Sequence, residues 1–223
     1  MPSIYISPSD QNRNYGCGTY GSEMEQMELL AAEVGKALDR CCVKHKICYH
    51  TEMGIDGRPA DCDKLGYDYY LALHSNAGGA GVARGCVAYY YEAGRNLANT
   101  LAYALKKIGQ PTDRWSSVQQ NKTFYECRMM AATSVLLEVD FHDTPAGAAF
   151  IMGRRVDIAD AIAESICAEF GADYVPRKQE TNKEVLYCVQ MGAFKNKTNA
   201  EKLAAKMKNA GYDVYITEKE RNV

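Results

Sequence analysis

Apolar residues recur along this chain at two periods, and the switches between them mark out its elements. The run SIYIS (3–7), stopped by Pro8, predicts a short strand, and the Asn- and Gly-rich stretch SDQNRNYGCGTYG after it predicts a loop. Ser22 and Glu25 then form an S-x-x-E capping box, and Met27, Leu30, Val34 and Leu38 fall on one face of an amphipathic helix. KICYHT (46–51) reads as the next strand. A stretch with Gly54, Gly57 and Pro59 reads as a loop. YDYYLALH (67–74) and GCVAYYY (85–91) are strands, and Leu97, Leu101, Ala104 and Ile108 stripe a helix from about Gly94 to Ile108. SVLLEVDF (134–141) is the most buried-looking strand. Thr144 and Pro145 supply an N-cap and a helix-starting proline for a last long helix that Gly171 closes.

Strands alternating with helices predict an α/β fold, a largely parallel mixed sheet flanked by helices, whose active site would collect beyond the carboxyl ends of the strands. PRKQETNKE (176–184) is proline-led and charged, a linker by composition, which divides the chain into 1–175 and 185–223. In the second part VLYCVQMGAF reads as a strand, Thr198 and Glu201 as a capping box, and Leu203, Ala204 and Met207 as a helical stripe that Gly211 ends before YDVYIT. Such a small βαβ unit cannot bury its sheet face alone and needs a partner.

Composition narrows the classes. With 223 residues, 47% of them hydrophobic, the chain can build one good core and a small second unit. A formal net charge of −2 gives no drive toward nucleic acid or anionic lipid. No run of apolar residues is long enough to span a membrane, and MPSIYISPSDQ lacks the basic and apolar regions of a secretory signal, so cytoplasmic synthesis is expected. The 9 cysteines are scattered through predicted helices and strands without a C-x-x-C pair, and reduced, buried thiols are expected.

Three polar residues stand where apolar ones belong. Glu23 leads the apolar stripe of the first helix, His74 closes a strand of tyrosines and leucines, and Glu138 sits inside SVLLEVDF. The first two have bland explanations, an acid favoured by the helix dipole and a satisfied core histidine, while an unpaired charge at Glu138 would cost several kcal/mol. Taken together they point to chemistry. Glu and His are ligands of an open catalytic zinc, and a further glutamate beside the zinc-bound water can act as general base in hydrolysis of an amide or ester.

IYISPSDQN, YGSEMEQMELLAAEV, LALHSNA and LLEVDFHDT, in this order and spacing, resemble the zinc-dependent N-acetylmuramoyl-L-alanine amidases of bacterial cell-wall hydrolases and phage endolysins, over residues 3 to about 172. The resemblance implies Zn2+ as cofactor, Glu23 and His74 as metal ligands, Glu138 as the catalytic carboxylate, and peptidoglycan as substrate, cut between the lactyl group of N-acetylmuramic acid and L-alanine. One departure is serious. The family's D-P-G-H motif, which supplies a third ligand, is matched by Ser7-Pro8-Ser9-Asp10. Asp10, the weaker Gln11 and His142 can replace that histidine; strand parity with Glu138 favours His142.

The loop between Thr51 and Tyr67 also looks short against the family, which usually carries an extra helix there, and a more open groove is expected. Tyr89, Tyr90, Tyr91, Phe124 and Tyr125 are either sugar platforms or packing residues. Arg128, Arg154 and Arg155 are either partners of stem-peptide carboxylates or solvated helix positions. VQMGAFKNKTNAEKLAAKMKNAGYDVYI resembles the first half of a SPOR domain, a peptidoglycan-binding module; with the second repeat missing, either the unit pairs with the same segment of another chain, the expected homodimer through residues 185–217, or the sequence stops short of the rest. The expectation is an amidase that reaches the wall after lysis or through a phage pore, an endolysin or autolysin. The alternatives are a metal-free cell-wall binding protein and a zinc peptidase of stem peptides.

Overall fold

The structure, a computed structural model, describes residues 1–78, 81–111, 117–178 and 189–218. It divides into two compact units, Met1–Lys178 and Gln179–Val223.

In the first unit six strands form one sheet: β1 (Ile4–Pro8), β2 (His45–Ile47), β3 (Tyr69–Asn76), β4 (Val87–Tyr90), β5 (Ser117–Gln120) and β6 (Thr133–Phe141), in the order β2-β1-β3-β6-β4-β5. β2, β1, β3 and β6 run parallel, β4 lies antiparallel to β6, and β5 runs parallel to β4. The carboxyl ends of β1, β3 and β6 therefore lie side by side. His74 pairs with Glu138 there, just before a register irregularity between His74 and Asn76.

The two faces of the sheet differ. Ile4, Ile6, Leu71, Leu73, Val135, Leu137 and Val139 point to the main core. Against them pack α1 (Glu23–Arg40), α3 (Arg95–Lys107), α5 (Pro145–Gly153) and α6 (Arg155–Phe170). The predicted stripe of α1 is buried, and its capping box is formed: Ser22 N–H donates to Glu25 Oε2 at 2.8 Å and Glu25 N–H to Ser22 Oγ at 3.3 Å. The other face carries Tyr5, Tyr70, Ala72 and Leu136, packed with Cys48, Cys62, Cys127 and Met130. Two short helices contribute to that cluster, α2 (Arg58–Leu65) and α4 (Tyr125–Arg128). Alternation along β3 and β6 puts His74 and Glu138 on this thinner face.

Several boundaries differ from expectation. α2 occupies the stretch read as a loop, started by Pro59 in its first turn and stopped by Gly66 in the left-handed region at φ 68°. Its exposed, charged surface gave no apolar period to read. β5 and α4 were too short to register. The last helix is two, broken at Arg154 (φ −114°, ψ 17°). All cysteines among the described residues are free thiols.

In the second unit the described residues form one helix, α7 (Lys197–Asn209), capped by Asn196, whose side chain accepts from Thr198 N–H at 2.9 Å, rather than by Thr198. The flanking strands of the expected βαβ unit are not formed among the described residues, and residues 185–188 lie outside them.

The turn from β6 into α5 backs the site. Thr144 Oγ1 accepts from Gly147 N–H at 3.1 Å, and a Cβ on Gly147 would collide with the carbonyl oxygen of Phe141 and stand 2.8 Å from Thr144 Oγ1. Because a backbone oxygen is in the way, Gly147→Ala should cost roughly 1–3 kcal/mol, a fall of roughly 3–10 °C in the melting midpoint of the first unit. Calorimetry checks this; an unchanged midpoint would mean that the turn opens freely.

Candidate active site

At the carboxyl end of β3, His74 is 5% exposed and lies between two carboxylates. Its Nδ1–H donates to Glu23 Oε1 at 2.9 Å and its Nε2–H to Glu126 Oε2 at 2.9 Å. Glu23 is brought there by the start of α1, where Ser75 N–H also donates to its Oε1 at 3.3 Å and Asn14 Nδ2 to its Oε2 at 2.7 Å. Glu126, on α4, receives Ser7 Oγ–H at 2.5 Å and Tyr70 O–H at 2.6 Å on its other oxygen. The guanidinium of Arg58, itself buried, donates to Ser7 Oγ at 3.0 Å and to the carbonyl oxygen of Pro8.

Burial opposes ionisation of Glu23 and Glu126, but the hydrogen bonds and charge of His74 outweigh it and hold both carboxyls below their usual range. Burial likewise opposes the imidazolium, and the hydrogen bonds to Glu126 and Glu23 overcome it, so His74 is pushed well above its ordinary value. Glu138 differs. Burial drives its carboxyl up to about 7, against the attraction of His74 and helped by the charges of Glu23 and Glu126. Among the described residues its Oε2 is buried without a hydrogen-bond partner. An orphaned oxygen at such a place is a feature that demands a reason.

The candidates for a third ligand are scattered. Asp10 Oδ2 accepts from Ile55 N–H at 3.0 Å, which ties it to the turn ahead of α2, and Gln11 is exposed. His142 lies one residue past the end of β6, so the strand parity that favoured it does not apply. Its Nδ1 pairs with Ser75 Oγ at 2.8 Å, its Nε2 with Asn14 Oδ1 at 3.1 Å, and its ring stacks on Tyr20 at 5.4 Å between centroids. Through Asn14 it joins the network of Glu23.

The donor chemistry fits a divalent ion of the zinc type in one respect. A carboxylate oxygen and an imidazole nitrogen face one another across a proton that a metal can replace, with the orphaned carboxyl of Glu138 on the neighbouring strand. The set is not closed, since among the described residues no three His, Cys, Asp or Glu side chains gather as a metal cluster.

The aromatic and arginine candidates have structural employment. Tyr89 packs edge-on against Phe124 at 4.9 Å, and Tyr125 O–H donates to Asp56 O at 2.7 Å. Tyr90 and Tyr91 pack against the core on either face. Arg154 pairs with Asp157 at 2.5 Å, Arg155 with Gln26 Oε1 at 2.6 Å, and Arg128 turns back to Thr123 O at 3.3 Å. Sequence reasoning missed Glu126, Ser7, Tyr70 and Arg58. A glutamate in a four-residue helix leaves no periodic signal, although FYECR, with an acid between aromatic and thiol, was a visible irregularity.

Comparison with known proteins bears on the fold and the family. Residues 183–223 match the model of the SPOR domain. A sporulation-specific N-acetylmuramoyl-L-alanine amidase of Bacillus subtilis (strain 168) is 25% identical over 165 residues, 74% of this chain and 62% of that protein, so the chain spans less than two thirds of that relative. The N-acetylmuramoyl-L-alanine amidase CwlM of Bacillus licheniformis is 24% identical over 97% of this chain and 85% of its own. Among solved structures, the catalytic domain of CwlV from Bacillus (Paenibacillus) polymyxa var. colistinus superposes with a TM-score of 0.67 at 19% identity, covering 78% of this chain and 100% of that one. AmiC2 of Nostoc punctiforme gives 0.67 at 17% identity, over 76% and 97%. These likenesses establish the fold, while the family model for N-acetylmuramoyl-L-alanine amidase matches residues 4–168, and the chain belongs to that family.

Proposed function

We propose that this chain is a zinc-dependent amidase of peptidoglycan, cutting the amide between N-acetylmuramic acid and L-alanine. The observation that carries the reading is the buried pair Glu23–His74 beside the orphaned oxygen of Glu138, at the carboxyl ends of the central strands of a fold shared with amidases. Glu23 Oε1 and His74 Nδ1 would hold the metal, with His142 as the further imidazole of the same network. Zinc, when bound, supplies Lewis acidity that activates water and polarises the amide carbonyl.

The rest is work for the chain. Glu138 takes the proton of the attacking water at its open Oε2 and returns it to the leaving nitrogen of L-alanine, so that one water is consumed and a lactyl carboxyl and a free amine appear. Asn14, bonded to Glu23, and Ser75, which donates its backbone N–H to the same carboxylate, hold that ligand's orientation. Position also matters. The site lies just beyond the ends of parallel strands, where an extended substrate can lie across it.

A metal-free wall-binding protein is the second reading, favoured by the missing third histidine and by the satisfaction of His74 on both nitrogens. Zinc stoichiometry separates the two. Protein purified without added metal, then exposed to one equivalent of zinc, should hold close to one ion per chain, lost in Glu23→Ala and His74→Ala. Wild type should release glycan-free L-alanine amino termini from peptidoglycan, and Glu138→Gln should lower that rate by about 10²–10⁴-fold with zinc retained. Wild type with neither zinc nor release would sink the amidase reading.

Glu138 also makes a prediction about stability. Its folded value lies near 7, above the ordinary 4.5, so below about 4.5 the buried carboxyl is neutral in both states and has no effect. As pH rises from 4.5 to 7 the unfolded carboxyl ionises while the folded one stays neutral, so stability falls, and above 7 the folded state carries the buried charge at full cost. Gln is neutral throughout. Metal-free Glu138→Gln should therefore be more stable than wild type by roughly 1–3 kcal/mol at pH 8 and nearly equal at pH 4.5. Urea unfolding at the two pH values reads this; a mutant less stable at pH 8 would mean that the carboxylate is paired.

The tail supports a second copy as partner. α7 has no buried residue, and Val189, Met191, Phe194, Tyr212 and Ile216 are exposed, so the described residues of the second unit close no core of their own. Light scattering should give a dimer that becomes a monomer when residues 179–223 are removed. A full chain that is monomeric at tens of micromolar would leave wall binding as the tail's role.

A further inference from the structure

Glu126 is held with more care than a passive acid needs. It is 3% exposed on a four-residue helix, yet side chains from β1 and β3 converge on it, with Arg58 of α2 behind Ser7. Ser7 and Tyr70 satisfy one oxygen, and Arg58 reaches the same Ser7 hydroxyl while its own Nε–H is fixed on Met53 O at 2.9 Å. The remaining oxygen, Oε2, has one partner among these groups: Nε2 of His74.

From this geometry we infer that Glu126 is the positioning residue of the site, accepting the Nε2–H of His74 so that Nδ1 is the nitrogen presented beside Glu23. The inference rests on the reading of His74 as a metal donor. A neutral imidazole carries one proton and one donor lone pair; fixing the proton on Nε2 leaves the lone pair on Nδ1. A carboxylate behind a ligating histidine selects that tautomer, fixes the ring and raises its donor strength. Ser7 and Tyr70 serve this arrangement by holding the Glu126 carboxylate in one orientation, and Arg58 by fixing the Ser7 hydroxyl.

A structural salt bridge alone would make a different prediction from a positioning residue, and nitrogen spectroscopy tells them apart. In wild type loaded with ¹¹³Cd as a zinc surrogate, long-range ¹H–¹⁵N spectra should show metal coupling at Nδ1 of His74 and a retained proton on Nε2. In Glu126→Gln the zinc dissociation constant, measured by chelator competition, should rise about 10–100-fold, with the Nε2 proton no longer protected from exchange, and kcat should fall. Tyr70→Phe, which removes one donor to Glu126 and keeps the ring, should weaken zinc in the same direction by a few-fold and stands in should Glu126→Gln fail to fold. Coupling at Nε2 in wild type overturns the inference without any variant. Zinc affinity unchanged in Glu126→Gln, or in Tyr70→Phe where that is the folded variant, also overturns it and leaves the zinc reading intact, whereas a wild type that binds neither zinc nor cadmium overturns both.

Discussion

The first unit is organised around one buried imidazole held between two buried carboxylates. His74, Glu23 and Glu126 come from β3, α1 and α4, three elements that are far apart in sequence, and each charge is tolerated only because the others are in place. An ionised group of this kind, stripped of its partner, costs several kcal/mol. The start of α1, the end of β3 and the short helix α4 are therefore coupled electrostatically, and the site is assembled only when the whole sheet is.

The division of the sheet into two unlike faces makes this possible. One face is sealed by long amphipathic helices and supplies most of the hydrophobic stabilisation. The other carries tyrosines, cysteines and short helices, a layer in which hydroxyl groups can reach buried acids. Tyr5 shows the same pattern at the far side, with its hydroxyl on Asp61 and its ring stacked on Tyr70 at 5.5 Å. The loop between β1 and α1 then folds back over the strand ends: Tyr15 bridges to Ser22, and Cys17 N–H donates to His142 O at 2.9 Å. That loop delivers Asn14 to Glu23.

What could be read from the sequence follows the range of the interactions involved. The capping box at Ser22, the stripe from Met27 to Leu38 and the strands at β3 and β6 are local patterns with strong periods, and they form as expected. Glu23, His74 and Glu138 were visible because each breaks a local apolar pattern. Glu126 breaks none. It becomes meaningful only through Ser7, 119 positions away, and Tyr70, 56 away, and no local window spans such distances. α2 was hidden for the opposite reason: its signals, Pro59 and Gly66, sit at its two ends, with a charged surface between. His142 was placed by a parity that holds only while a strand lasts, and β6 stops at Phe141.

The replaced motif is best judged by what surrounds it. Had Ser7-Pro8-Ser9-Asp10 been the remnant of a decayed site, the neighbouring charges would have had no reason to remain buried, since well-packed apolar groups in place of a buried ion pair are often as stable or more so. The surroundings instead form one bonded network. Ser7 donates to a carboxylate arriving from α4, Arg58 from α2 reaches that same hydroxyl, and Asp10 is used to anchor the turn that leads into α2. The substituted residues and the unexpected helix thus belong to one arrangement, with Glu126 at its centre and His74 as its product. A buried carboxyl oxygen left without a partner on Glu138 is a cost to stability, and that cost is the physical ground on which the proposed catalytic role of Glu138 rests.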